Sequence, residues 1–162
     1  MKLQRLTTLA LLTAVSLVLF MVEAQIPPMT PVPGIKLGLA NIITLFILYD
    51  KKCKWRDAVL VVVVRVLLAG LITGNLFALL FSLSGGLAAV FTMILFRKIA
   101  PIPATSVAGA ITHNIAQIAV ATAISGAGVL LYLPILIFGG VVSGLITGFA
   151  VTIIISRLKG RS

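Results

Sequence analysis

Long apolar runs alternate with short polar or proline-rich joints along the chain. They cover residues 6–22, 35–49, 58–73, 76–96, 104–123 and 130–156. A helix that crosses a bilayer needs about 20 mainly apolar residues. The pattern therefore predicts an all-α membrane protein with six transmembrane helices, one domain over residues 1–162, and no room for a soluble domain on either side. The second and third runs are short for a full crossing, so local thinning, snorkelling or burial against neighbouring helices is expected there. Residues 25–34 hold Pro27, Pro28, Pro31 and Pro33. Proline lacks the N–H and blocks helix, so this joint is expected to be extended and stiff, either lying across the outer end of the bundle or serving as a plain connector. The first run follows Lys2 and Arg5 and ends near Val22-Glu23-Ala24, which resembles a signal-peptide cleavage site. Its 17 apolar-rich residues exceed the roughly 7–15 of a signal peptide, so it is read as a retained first helix.

Charge fixes the expected orientation. Lys2 and Arg5 precede the first run, and Lys51, Lys52, Lys54 and Arg56 separate the second and third. Arg97 and Lys98 separate the fourth and fifth, and Arg157, Lys159 and Arg161 follow the sixth. The alternate joints, 24–34, 74–75 and 124–129, contain no lysine or arginine. Thus 11 of the 13 basic residues fall on one side, and the positive-inside rule makes that side cytoplasmic, with both termini inside and the chain in the cytoplasmic membrane. An odd number of crossings would break the alternation. Composition agrees: 60% of residues are hydrophobic and 10% charged, with a mean hydropathy of +1.25. Soluble domains carry about 25% charged residues, so the surface here is expected to face lipid. The net charge of +10 would point to nucleic acid in a soluble protein. Placed as topology signals beside apolar runs, these charges make a nucleic-acid partner unexpected.

Helices in lipid associate through small residues that let backbones approach. The sixth run carries Gly140, Gly144 and Gly148 at intervals of four, and the fourth pairs Ser82 with Gly86 and Gly85 with Ala89. These are read as internal seams. The first run pairs Ala10 with Ala14, where an external partner helix competes with internal packing.

Strongly polar side chains at membrane depth cost about 2.5–3.5 kcal/mol on insertion scales and are functional candidates by default. Here they are Lys36 and Asn41 in the second run, Arg65 in the third, Asn75 at the outer start of the fourth, and His113, Asn114 and Gln117 in the fifth. Arg65 stands near the middle of its run, about 12 Å from either surface at 1.5 Å per residue, too far for snorkelling alone. Lys36, in a first turn, is able to reach the outer interface. His113, Asn114 and Gln117 fall within an arc of about 100° on one helix. They predict either interhelical hydrogen bonds or, with polar groups from the other helices, a ligand cavity, and the cavity is preferred. Glu23 is placed to pair with Lys36 or Arg65, which leaves about one positive charge over. The expected ligand is therefore anionic or rich in acceptors, such as a carboxylate or a phosphate.

Catalysis is not expected. The acids are Glu23, Asp50 and Asp57, without the paired aspartates that hold magnesium against a diphosphate. One histidine and one cysteine, Cys53, make no zinc site. No acid lies within an apolar run to orient His113, and a Walker motif for ATP is absent. Neither metal nor cofactor is expected, and energy for active transport would come from a partner protein or an ion gradient.

The stretch Pro33-Gly34-Ile35-Lys36-Leu37-Gly38-Leu39-Ala40-Asn41, with Gly109-Ala110, His113-Asn114 and Gln117, resembles a bacterial membrane family labelled Gx transporter or heptaprenyl diphosphate synthase component I. That family looks related to the substrate-binding S components of energy-coupling factor (ECF) transporters. The resemblance implies an S-component-like bundle of six helices that captures a small solute from outside and works with a transmembrane coupling protein and two cytoplasmic ATPases. It also implies that Ala10 and Ala14 dock on the coupling protein, and that the proline-rich joint caps the substrate. The synthase label implies instead a non-catalytic membrane accessory of a prenyl diphosphate synthase. A solitary secondary carrier is the third reading.

Overall fold

The computed structural model describes residues 2–25 and 38–159, and every structural statement concerns these. Six α-helices follow one another: α1 (Lys2–Glu23), α2 (Asn41–Tyr49), α3 (Trp55–Thr73), α4 (Leu76–Phe96), α5 (Ile102–Ser125) and α6 (Leu133–Lys159). A 3-10 segment, Ala127–Tyr132, leads into α6. The described residues form no strand.

Local chemistry sets the helix ends. Gly74 takes the left-handed conformation (φ 61°) that closes α3, and its N–H returns to the Gly70 carbonyl. The next residue, Asn75, caps α4: its side-chain oxygen accepts from the Ala78 N–H at 2.9 Å. Pro103 sits in the first turn of α5, where no intrahelical N–H is needed. Gly126, at φ 87°, ends α5.

Six helices are present, but only four are both long and apolar enough to cross a membrane: α1, α4, α5, and α6 with its 3-10 lead-in. Of the six expected spans, α2 and α3 therefore do not combine the length and the apolar composition of a lipid-facing span. Helix α2 has nine residues, about 13 Å of rise, less than half a hydrocarbon core. Helix α3, at 19 residues, is long enough but carries Arg56, Asp57 and Arg65. Burial, one of the outcomes expected for a short run, is what α2 does. Helix α2 contacts all five other helices, and Asn41, Thr44, Leu45, Ile47 and Leu48 are buried. A helix apolar on every side belongs inside a bundle.

Around that central element, α5 lies between α4 and α6. Its buried residues form two adjacent rows. One row meets α4: Gly109 faces Met93, and His113 and Gln117 face Gly85. The other meets α6: a Cβ on Gly140, Gly144 or Gly148 would stand 3.3 Å from the Ala110 carbonyl, 2.7 Å from the Val107 Cα or 2.6 Å from the Pro103 Cα. The three glycines of α6 thus form an internal seam with the α5 backbone. The main apolar core joins Leu45 and Leu48 of α2, Val61 and Val62 of α3, Val90 and Met93 of α4, and Val151 of α6.

Helix α1 packs only against α3 and α2. It is pinned at one end by the Arg5–Asp57 ion pair. At the other end Phe20 packs with Ala40 and Ala69. Its far side is uncovered, with Leu3, Leu11, Val18 and Val22 all exposed.

Candidate functional site

Arg65 of α3 and His113 of α5 are each 3% exposed and line one cavity with Gln117 of α5, Ser82 of α4, Phe20 and Glu23 of α1, and Gly38 just before α2. The cavity measures about 10 Å³, room for roughly one water molecule. Four helices and the lead-in to a fifth therefore converge on this point.

Several of these side chains have a local partner. The Arg65 guanidinium carbon lies 5.6 Å from the centre of the Phe20 ring, within cation–π reach. The Glu23 carboxylate accepts a hydrogen bond from the Gly38 N–H and acts electrostatically on Arg65. Asn41 is buried, and its amide nitrogen lies 3.3 Å from His113 Nδ1. Space for these side chains comes from α4. A Cβ on Gly85 would stand 2.8 Å from His113 Cε1, and one on Gly86 would stand 3.5 Å from Arg65 Nη2. The paired glycines therefore admit side chains, where the sequence pattern had pointed to backbone approach.

Several buried atoms have no hydrogen-bond partner among the described residues: Arg65 Nε and Nη2, His113 Nε2, Asn41 Oδ1 and Asn114 Oδ1. A buried donor left unmade costs about 1–3 kcal/mol, more when charged. All but Asn114 Oδ1 lie at the cavity or beside its histidine, and such a concentration marks a place kept for something polar. Nε and Nη2 form one edge of the guanidinium, whose two parallel N–H groups match two oxygens of a carboxylate or phosphate.

The residues expected at the site divide as follows. Arg65, His113 and Gln117 line the cavity, and Asn41 touches its histidine. Asn114 does not line it: one residue past His113, about 100° around the helix, it faces α6 and donates to the Leu136 carbonyl. Asn75 is also corrected, because it is exposed and serves as the cap of α4. Lys36 lies outside the described residues, as does most of the proline-rich joint. Ala10 and Ala14 are exposed on α1, away from any contact with α4, α5 or α6. Ser82 and Gly38 were not expected to be cavity residues. The sequence pattern marks Ser82 as a packing residue, and only its position one turn before Gly86 signals its place. Among the described residues no three His, Cys, Asp or Glu side chains gather where a metal ion would fit.

A helical membrane protein with several apolar spans and a buried, partly unsatisfied cationic site is the class that fold and cavity define. The profile of the heptaprenyl diphosphate synthase component I family matches residues 12–154, and the chain belongs to that family. No curated protein and no solved structure matches it.

Proposed function

We propose that this protein is the solute-binding, S-component-like subunit of a membrane transporter, and that it takes up a small anionic solute without catalysing a reaction. The observation that carries this reading is Arg65, buried in mid-helix, whose Nε and Nη2, like His113 Nε2 in the same cavity, have no partner among the described residues. A membrane protein that bears such a cost with no return would be at a disadvantage against one with methionine there. An anion provides the return. The cavity holds about one water, so entry of a solute requires the helices around it to part. This fits a protein that alternates between closed and loaded states.

In this reading the basic joints face the cytoplasm and Glu23 lies toward the outer surface. The exposed face of α1 with Ala10 and Ala14 supports a lateral contact with a coupling protein, whose ATPases would supply energy. The family's name favours a second reading, in which the chain is a non-catalytic membrane component of a prenyl diphosphate synthase and Arg65 meets a phosphate group. Mild affinity purification from the native membrane separates the two. Co-purification of a membrane coupling protein with two ATPases, together with ATP-dependent uptake in vesicles, is the expected result. Recovery of a soluble prenyl synthase without ATPases would replace the first reading with the second. Uptake by the purified chain alone, driven by an ion gradient, would make it a solitary carrier.

A further inference from the structure

The same cavity holds a resident anion of its own. Glu23 closes α1, is 4% exposed, lines the cavity with Arg65 and acts electrostatically on it. Its carboxylate also accepts from the Gly38 N–H, which tethers it at the cavity wall near the cation. Meanwhile the Nε/Nη2 edge of Arg65 has no hydrogen-bond partner among the described residues. Glu23 therefore places a negative charge near the guanidinium without occupying that edge.

We propose that Glu23 is a tethered competitor for Arg65, and that an anion with two oxygens on one face binds the Nε/Nη2 edge and takes over from the carboxylate as the nearest counter-charge of the guanidinium. This rests on the reading of the cavity as an anion site and adds the rule by which it loads. With Glu23 ionised, an entering monoanion faces a like charge on the cavity wall in a medium of low polarity. That repulsion weakens binding by about tenfold to a hundredfold. Affinity is thereby held low enough for release, and ligand binding is reported directly to the outer end of α1. The two-oxygen geometry is common to carboxylates and phosphates, and the probes below tell them apart.

The test uses the full chain in lipid nanodiscs, titrated calorimetrically with acetate, inorganic phosphate and inorganic diphosphate. Native protein is expected to bind at least one probe weakly. Glu23→Gln is expected to bind the same probe at least about tenfold more tightly, and Glu23→Asp, which keeps the charge, to stay near native. Arg65→Met in either background is expected to abolish binding. Preference for acetate identifies a carboxylate ligand, and preference for phosphate or diphosphate a phosphorylated one. If binding depends on Arg65 but Glu23→Gln leaves it unchanged or weaker, the competitor role is overturned while the anion site stands. If no probe binds even Glu23→Gln, both fall.

A second readout needs no variant, because Glu23 is the only glutamate in the chain. Its 13Cδ resonance in glutamate-labelled native protein is expected to shift on saturation with the binding probe. A resonance that stays fixed at saturation overturns the proposal.

Discussion

Replacing Arg65 by Met and Glu23 by Gln together is expected to leave the protein at least as stable as native, whereas either change alone destabilises it. Arg65 is 3% exposed and Glu23 4%, so both charges have lost most of their water. The guanidinium leaves Nε and Nη2 without partners among the described residues, at about 1–3 kcal/mol for each unmade bond. Two opposite charges buried at one cavity with that deficit are a poor exchange for apolar packing, and replacing buried ion pairs is commonly neutral or stabilising by about 1–4 kcal/mol. Removing one partner is different, because it strands the other charge at a cost of about 3–5 kcal/mol. Arg65→Met also forfeits the contact with the Phe20 ring, though Glu23 retains the Gly38 N–H as a partner. For a chain of this size 1 kcal/mol corresponds to roughly 2–4 °C in Tm. Each single variant should thus unfold roughly 6–20 °C below native, and the double variant within a few degrees of native or above it. Thermal unfolding of the four proteins in nanodiscs forms a double-mutant cycle. A double variant as unstable as the sum of the singles would show that Glu23 and Arg65 do not share a cavity, and the charge balance argued from it would be wrong.

Gly85→Ala places a methyl 2.8 Å from the His113 ring. It is expected to lower stability by about 1–3 kcal/mol and to weaken anion binding, while Gly128→Ala, which meets nothing within 4 Å, leaves both unchanged. Gly144→Val drives its side chain into the Val107 backbone, 2.7 Å from the position of its Cβ. It should cost at least as much as Gly85→Ala in thermal unfolding, because backbone yields less readily than an imidazole ring. Burial raises the pKa of Asp57, but hydrogen bonds from the Lys54 N–H and the Arg5 guanidinium outweigh it, and the net shift is downward. Its stabilisation is therefore present above the unfolded value of about 3.9 and lost as pH falls through the lower folded value. Asp57→Asn should flatten the decline of Tm below about pH 4, by about 1 kcal/mol since Arg5 is half-exposed. Cys53 titrates above the ordinary thiol range because of burial and the nearby Asp50 and Asp57 carboxylates. A membrane-impermeant maleimide should label it slowly near neutrality, faster as pH rises, and in inside-out vesicles only. Labelling in right-side-out vesicles would contradict a cytoplasmic α2–α3 loop.

The helices were legible because lipid as solvent demands long apolar runs, and polar joints interrupt them sharply. The role of α2 was less so: apolar periodicity does not distinguish a short span from a helix buried on all sides, and only its contacts with every other helix decide it. Arg65 and His113 could be chosen from sequence, since a cation and an imidazole in mid-run have few tolerable places to point. Asn114 was misplaced because one residue along a helix changes the neighbour, from α4 for His113 to α6 for Asn114. The Gly74-Asn75 pair before an apolar run is a helix stop followed by an N-cap. That local signal outweighs membrane depth as an account of Asn75. The contribution of Gly85 and Gly86 was hidden for a different reason. A missing side chain leaves the same mark whether it admits a backbone or a guanidinium.

Native mass spectrometry of gently purified protein, compared with Arg65→Met, bears most directly on the claim that polar side chains from several helices form one internal anion site. The native chain is expected to release a single small anion on collisional activation, and Arg65→Met to carry none. Identical spectra from both proteins, with no small molecule on the native chain or the same one on each, would contradict it.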